Sequence, residues 1–147
     1  MTQKRWKAYF YVTIQFSMLI LLLASGPWIS REPAGLLIEA GGLIIGITAI
    51  VQMRPGNFNI TPLPKKGGQL VTHGLYQYIR HPMYLAQLIV FIPLIHEQYS
   101  HYRLAFWLIL LVNLVFKLRF EEKQLLTQYQ GYSSYRVQSW RLIPFIW

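Results

Sequence analysis

Long apolar segments constrain the fold of this chain more than any other feature of its sequence. Four of them are long enough to cross a bilayer or nearly so, at residues 8–29, 35–53, 82 to about 98, and about 102 to 120. A bilayer core accommodates a helix of about 20 residues. In lipid the backbone must satisfy its own hydrogen bonds, which a helix does. The sequence therefore predicts an all-α integral membrane protein with about four transmembrane helices.

The first apolar segment follows Lys4, Arg5 and Lys7, which is also how a signal peptide begins. Two features favour a membrane helix instead. The segment is as long as a spanning helix, and Ala24-Ser25-Gly26 leads into Pro27, a poor cleavage site. We therefore expect this segment to remain as the first span.

The distribution of basic residues predicts the orientation of these spans. Of the 14 lysines and arginines, only Arg31 and Arg103 fall on one side of a four-span arrangement. The other 12 fall on the opposite side, at Lys4, Arg5, Lys7, Arg54, Lys65, Lys66, Arg80, Lys117, Arg119, Lys123, Arg136 and Arg141. By the positive-inside rule both termini face the cytoplasm. The chain is expected to form one membrane domain, with a helix hairpin at residues 1–53 and a core at residues 54–147.

Charge and composition exclude several classes of site. The formal net charge is +9, but the basic residues flank apolar segments, so anionic lipid headgroups are expected as partners and nucleic acid is not. The chain has no cysteine, and its four histidines lack metal-ligand spacing on one helix face, so we expect no metal site. No nucleotide-binding glycine motif is present.

The richest cluster of functional side chains is the stretch Gly74-Leu75-Tyr76-Gln77-Tyr78-Ile79-Arg80-His81-Pro82-Met83-Tyr84. Pro82 suits the first turn of a helix, so Arg80 and His81 should lie at a helix N-terminus, which attracts anions. Gly74 permits close backbone approach. Ordinary flanking sequence is the simpler explanation, but the density of polar groups favours a ligand site.

Glu121 and Glu122 are two of only five acidic residues and follow the fourth apolar segment. They could form local pairs with Lys117 and Arg119, or accept hydrogen bonds from a cationic cofactor. Glu39 is an acid inside the second apolar segment, close to its outer end, where it can reach the headgroups. The pattern Gly42-Leu43-Ile44-Ile45-Gly46 is typical of a helix packing face.

Taken in order, these residues resemble the isoprenylcysteine carboxyl methyltransferase family and, more loosely, small integral-membrane phospholipid methyltransferases. The resemblance covers about residues 54–147. It rests on Gly74, Tyr76, Arg80, His81, Pro82 and Tyr84, then Glu121, Glu122 and Leu125, then Tyr132, Tyr135, Ile143 and Pro144. The chain departs from the family pattern at Leu75, where a proline is frequent.

The resemblance implies a methyltransferase that uses S-adenosylmethionine. The predicted orientation puts its pocket at the cytoplasmic face of the inner or plasma membrane. Implied cofactor-binding residues are Gly74, Tyr76, Arg80, His81, Pro82, Tyr84, Leu85, Glu121, Glu122 and Tyr135. Implied catalytic residues are Arg80, Tyr84, Glu121 and Arg136. Arg80, together with Arg136, would orient an acceptor carboxylate.

The acceptor is expected to be lipidic, because a pocket between membrane helices meets lipid laterally. Carboxylate O-methylation is favoured, and N-methylation of a phospholipid amine stays open. Two other functions remain as alternatives: a membrane reductase of the steroid-reductase type, and a non-catalytic accessory subunit. The acceptor and the oligomeric state are not determined by the sequence.

Overall fold

The computed structural model describes residues 2–147, and within that range it contains helices but no strand. The elements are α1 (Gln3–Ala24), α2 (Pro33–Asn57), α3 (Leu75–Tyr78), α4 (Pro82–Glu97), α5 (His101–Gln128) and α6 (Tyr132–Gln138). The predicted all-α fold is confirmed.

The first two helices have the length and composition of membrane spans. Among the described residues, Gln3–Ala24 and Pro33–Arg54 are the helices that are both long and apolar enough to cross a bilayer. The apolar helix α4 has 16 residues, and α5 has 28 but carries charged groups. The count of four spans and their orientation therefore stay predictions.

The boundaries of α1 and α2 differ from the apolar segments for local reasons. α1 ends at Ala24, five residues before the end of the segment. Pro27 cannot donate a backbone hydrogen bond, and the Trp28 indole N–H turns back to donate to the Leu23 carbonyl at 2.7 Å. α2 begins at Pro33, in its first turn. The chain therefore reverses direction within a short connection at residues 25–32.

The four long helices pack in a fixed order: α1 lies along α5, α5 contacts α4, and α4 lies along α2. Gly42 and Gly46 are in the α2–α4 contact. A Cβ at Gly42 would come within 2.8 Å of the Val90 side chain, and one at Gly46 within 3.3 Å of Ala86. The predicted packing face is confirmed, because the small residues let α4 approach the backbone of α2.

Glu39 has a structural partner at the end of the bundle that carries the short connections. Its carboxylate accepts a hydrogen bond of 3.0 Å from the backbone N–H of Ser30. Nearby, Glu97 accepts one of 2.8 Å from the backbone N–H of Arg31. These bonds tie the α1–α2 connection to α2 and α4.

The opposite end of the bundle, here called the polar end, carries residues 58–81 and 129–147. The C-terminal segment pairs there with the strand-like residues before α4. Arg80 N–H donates to the Trp140 carbonyl at 2.8 Å, His81 N–H to Arg141 at 3.1 Å, and Trp140 N–H to Tyr78 at 2.9 Å. α5 reaches this end without a break and stops at Gln128.

Candidate active site

A cavity of about 460 Å³ lies at the polar end of the bundle, within the usual size range of small-molecule sites. Its wall combines residues of α1, α2, α4, α5 and the connections at the polar end. Seven residues predicted for the site line it: Tyr76, Arg80, His81, Pro82, Tyr84, Glu121 and Tyr135. The fold therefore brings together two clusters that are about 40 residues apart in the chain.

The start of α4 presents the side chains of His81 and Tyr84 to the cavity. His81 precedes the helix, and Pro82 is its first residue, as predicted. The rings of His81 and Tyr84 stack with centroids 5.3 Å apart and an interplanar angle of 4°. The Tyr84 hydroxyl donates a hydrogen bond of 2.6 Å to Glu121 Oε2. Tyr84 therefore fixes the orientation of the Glu121 carboxylate at the cavity wall.

Glu122 is buried one residue further along α5 and is held by two arginines. Its Oε1 lies 2.8 Å from Arg80 Nε, and its Oε2 lies 3.1 Å from Arg141 Nε. Burial raises the pKa of Glu122, but the adjacent His81 and Arg80 outweigh it and lower the pKa to about 2. The carboxylate is therefore charged at neutral pH.

The alternative of local pairing for the two glutamates is wrong. Among the described residues, no ion pair joins Glu121 to Lys117 or Glu122 to Arg119. The tertiary partners Tyr84 and Arg80 replace them, since α4 and the loop before it pack directly on this part of α5.

Arg80 lines the cavity, but its guanidinium is hydrogen-bonded to other groups of the protein. Besides Glu122, its guanidinium donates to the carbonyl of Arg136 at 3.1 Å and to the carbonyl of Ser139. The Ser139 hydroxyl lies 3.2 Å away. These bonds link the residue before α4 to α6 and the C-terminal segment, so Arg80 holds the site together. Its contact with a substrate carboxylate stays a prediction.

Tyrosines form the aromatic part of the wall. The Tyr135 hydroxyl donates to the Tyr76 carbonyl at 2.5 Å, and the Tyr76 hydroxyl donates to the Ala49 carbonyl at 3.3 Å. Burial and the Glu121 carboxylate raise the pKa of Tyr76, and burial raises that of Tyr135 to about 12. Both hydroxyls therefore stay protonated at neutral pH and serve as donors.

Four residues predicted for the site lie outside the cavity wall. They are Gly74, Leu85, Glu122 and Arg136. Gly74 adopts a φ of +63°, and its backbone packs against the side chain of Gln52, which accepts a 2.8 Å hydrogen bond from Leu75 N–H. The close approach expected at Gly74 is therefore made to α2. The Arg136 side chain is exposed, and its backbone carbonyl contacts Arg80.

The sequence did not indicate a polar group deeper in the bundle that also lines the cavity. Lys117 Nζ donates to Gln15 Oε1 at 2.6 Å, and Gln15 Nε2 donates to Gln87 Oε1 at 2.7 Å. These residues belong to α5, α1 and α4. A polar residue inside each of three apolar segments was the available signal. It was missed because one sequence does not say which helix faces meet.

Comparison with known proteins identifies the family. A model of the phospholipid methyltransferase family matches residues 31–131, which include α2 to α5 and most of the side chains that line the cavity. No curated protein and no solved structure is significantly similar to the chain. The match covers more than half of the chain and disfavours the reductase alternative. The chain therefore belongs to the phospholipid methyltransferase family, whose members are membrane methyltransferases.

Proposed function

We propose that the protein transfers the methyl group of S-adenosylmethionine to a lipidic acceptor bound in this cavity. One observation carries the proposal: the cavity joins a charged and aromatic end, at Glu121 and the tyrosines, to an apolar groove along the helices. A polar cofactor and an apolar acceptor can meet in such a space. The family's description names a phospholipid, which supports a lipidic acceptor.

The charged end fits the chemistry of the cofactor. Glu121 supplies a carboxylate for a cation, and electron-rich tyrosine faces attract cations. Two buried polar atoms have no hydrogen bond of ordinary length among the described residues: the Tyr132 hydroxyl, and His81 Nε2, which lies 3.6 Å from Glu122 Oε1. Both residues line the cavity. Buried polar groups are rarely left without partners, so these atoms are suited to a polar ligand.

S-adenosylmethionine supplies a methyl group on a positively charged sulfur. The protein's part is to align the acceptor and to exclude water. Tyr84 keeps Glu121 in one orientation beside the cation. The pairing of Arg80 with Glu122 keeps the loop before α4 in place. A carboxylate acceptor needs no general base, which favours O-methylation. For an amine acceptor Glu121 is positioned to take the proton.

The groove gives the acceptor access from the lipid side. Its walls include Phe16 of α1 and Leu43, Ile47 and Ile50 of α2. These side chains are also exposed on the surface of the bundle, so the cavity opens sideways between the two helices. An apolar tail can therefore enter from the bilayer, while the cofactor enters at the polar end.

Calorimetry with S-adenosylmethionine on the purified full chain in neutral detergent tests the cofactor. We expect binding that Glu121→Gln weakens about tenfold, since a charge-assisted contact contributes roughly 1.5–3 kcal/mol. Glu32→Gln is the matched control, because Glu32 is exposed at the other end of the bundle. Incubation with methyl-labelled cofactor and total membrane lipid should then yield a labelled lipid. Absence of binding to the unmodified protein would overturn the proposal.

A further inference from the structure

Lys117 is a buried cation in the wall of the cavity, and the proposed function has no role for it. The residue is charged, yet it lies within the fourth apolar segment and is only 2% exposed. Placing an ammonium in such surroundings is costly unless it has a partner of opposite charge. Among the described residues, no carboxylate lies within 4.0 Å of its Nζ.

The hydrogen-bond partners of Lys117 are neutral, and the Glu121 carboxylate one helical turn away interacts with its charge without forming an ion pair. Nζ donates to Gln15 Oε1 at 2.6 Å and to the Ile60 carbonyl at 3.0 Å, and it lies 5.1 Å from the centre of the Tyr84 ring. An ammonium has three N–H donors. Two are used by Gln15 and Ile60, which leaves one for a ligand in the cavity.

Lys117 lies where the charged end of the cavity meets the groove. It precedes Glu121 by one helical turn, about 6 Å along α5 and further from the polar end. Gln15, which holds it, is adjacent in sequence to Phe16 in the groove wall. An anionic group bound at Lys117 would therefore have its apolar tail in the groove and would lie near the Tyr84 ring, one helical turn from the cation site at Glu121.

We propose that the Lys117 ammonium binds the anionic group, a carboxylate or a phosphate, of the lipidic acceptor. This inference rests on the proposed function and names the residue that selects the acceptor's head. Arg80 is less suited to that task because its guanidinium is already bound by Glu122 and the carbonyls of the C-terminal segment. S-adenosylmethionine also carries a carboxylate, which is a second candidate ligand of Lys117. Calorimetry with the cofactor distinguishes it from the anionic group of the acceptor.

Three single-chain probes with the same tail test the proposal: palmitate, palmitoyl lysophosphatidic acid and monopalmitoylglycerol. Their heads are a carboxylate, a phosphate and a neutral glycerol. Native mass spectrometry of the full chain, released from neutral detergent, measures the bound fraction of each. We expect at least one anionic probe to bind about tenfold better than the neutral one, and the preferred anion identifies the head.

Four variants assign the preference to Lys117. Lys117→Gln should abolish it and Lys117→Arg should retain most of it. Lys123→Gln, which removes an exposed lysine from the same helix, should leave it unchanged. Gln15→Glu places a carboxylate beside the ammonium without removing it and should also abolish the preference. That variant keeps the test decisive if Lys117→Gln does not fold.

Calorimetry with S-adenosylmethionine separates this inference from the proposed function. Unchanged cofactor affinity in Lys117→Gln, together with lost anion preference, supports the assignment. An equal loss of cofactor affinity would assign Lys117 to the cofactor and overturn it, as would an anion preference that survives in Lys117→Gln. If the unmodified protein bound the anionic probes through Lys117 but did not bind the cofactor, the acceptor role would be rejected together with the methyltransferase activity.

Discussion

Arg80 Nε and Glu122 Oε1 lie 2.8 Å apart with both side chains buried, although 42 residues separate them in the chain. Removing one member of a buried pair leaves the other charge unpaired and costs about 3–5 kcal/mol. We therefore expect Glu122→Gln to lower the thermal unfolding midpoint sharply, measured by circular dichroism in detergent. The control Glu32→Gln should leave the midpoint unchanged. A small shift in Glu122→Gln would show that the pair contributes little.

The Glu122 carboxylate should also make the free energy of unfolding depend on pH in the acidic range. Folding lowers the pKa of Glu122 from its ordinary value of 4.5 to about 2. A group with a lowered pKa stabilises the folded state above its unfolded pKa, and this stabilisation is lost as the pH falls through the folded value. Stability should therefore drop between about pH 4.5 and 2. In Glu122→Gln this part of the pH dependence should be missing when unfolding is measured across that range.

Tyr84→Phe removes the hydroxyl that holds Glu121 and keeps the ring. Without this bond Glu121 is no longer held in one orientation, so we expect calorimetry to show weaker affinity for S-adenosylmethionine, with a loss no larger than the roughly tenfold loss in Glu121→Gln. The unfolding midpoint should fall moderately, since a hydrogen bond to a charged group contributes about 1.5–3 kcal/mol to stability, but the variant should still fold because the ring still stacks on His81. Tyr102→Phe, at an exposed tyrosine of α5, is the matched control. Equal affinities in the two variants would contradict a role for the Tyr84–Glu121 bond.

Adjacent glycines of α2 provide a paired test of helix packing. A Cβ at Gly42 would meet the Val90 side chain, whereas a Cβ at Gly41 would meet no atom of the described structure within 4 Å. Gly42→Ala should cost about 1–3 kcal/mol, the usual range for overpacking. Gly41→Ala should be neutral or slightly stabilising. Thermal unfolding of the two variants side by side checks the difference.

Two glycines with positive φ separate backbone strain from crowding at the site. Gly74 (φ +63°) packs on the Gln52 side chain, while Gly67 (φ +76°) has open space around its Cβ position. An alanine at either position carries strain of about 1–3 kcal/mol. Only Gly74→Ala also displaces Gln52, so it should be the more destabilised variant and should bind the cofactor more weakly. Equal effects would mean that strain alone matters.

Local chemistry made parts of this structure predictable. Pro82 marks the start of α4, because its ring fits a first helical turn. Gly42 and Gly46 mark a close helix contact, since small residues permit it. Glu121 and Tyr84 were expected in one site, and they form a direct hydrogen bond.

Partners distant in the chain were not predictable from one sequence. Arg80 was expected to face a substrate, yet its guanidinium is bound by Glu122 and by carbonyls of the C-terminal segment. Lys117 was counted among the basic residues at the membrane surface, yet it is buried against Gln15 of α1. Such contacts depend on which helix faces meet, and charge and hydropathy patterns do not contain that information.

The backbone pairing between residues 78–81 and 140–141 has a consequence for the order of synthesis. Arg80 receives its carbonyl partners from Arg136 and Ser139, which are made after every long helix. A growing chain can therefore insert its apolar helices while the cavity still lacks part of its support. The cavity wall at Arg80 gains its full support only once residues 136–141 have been made and have packed onto the start of α4.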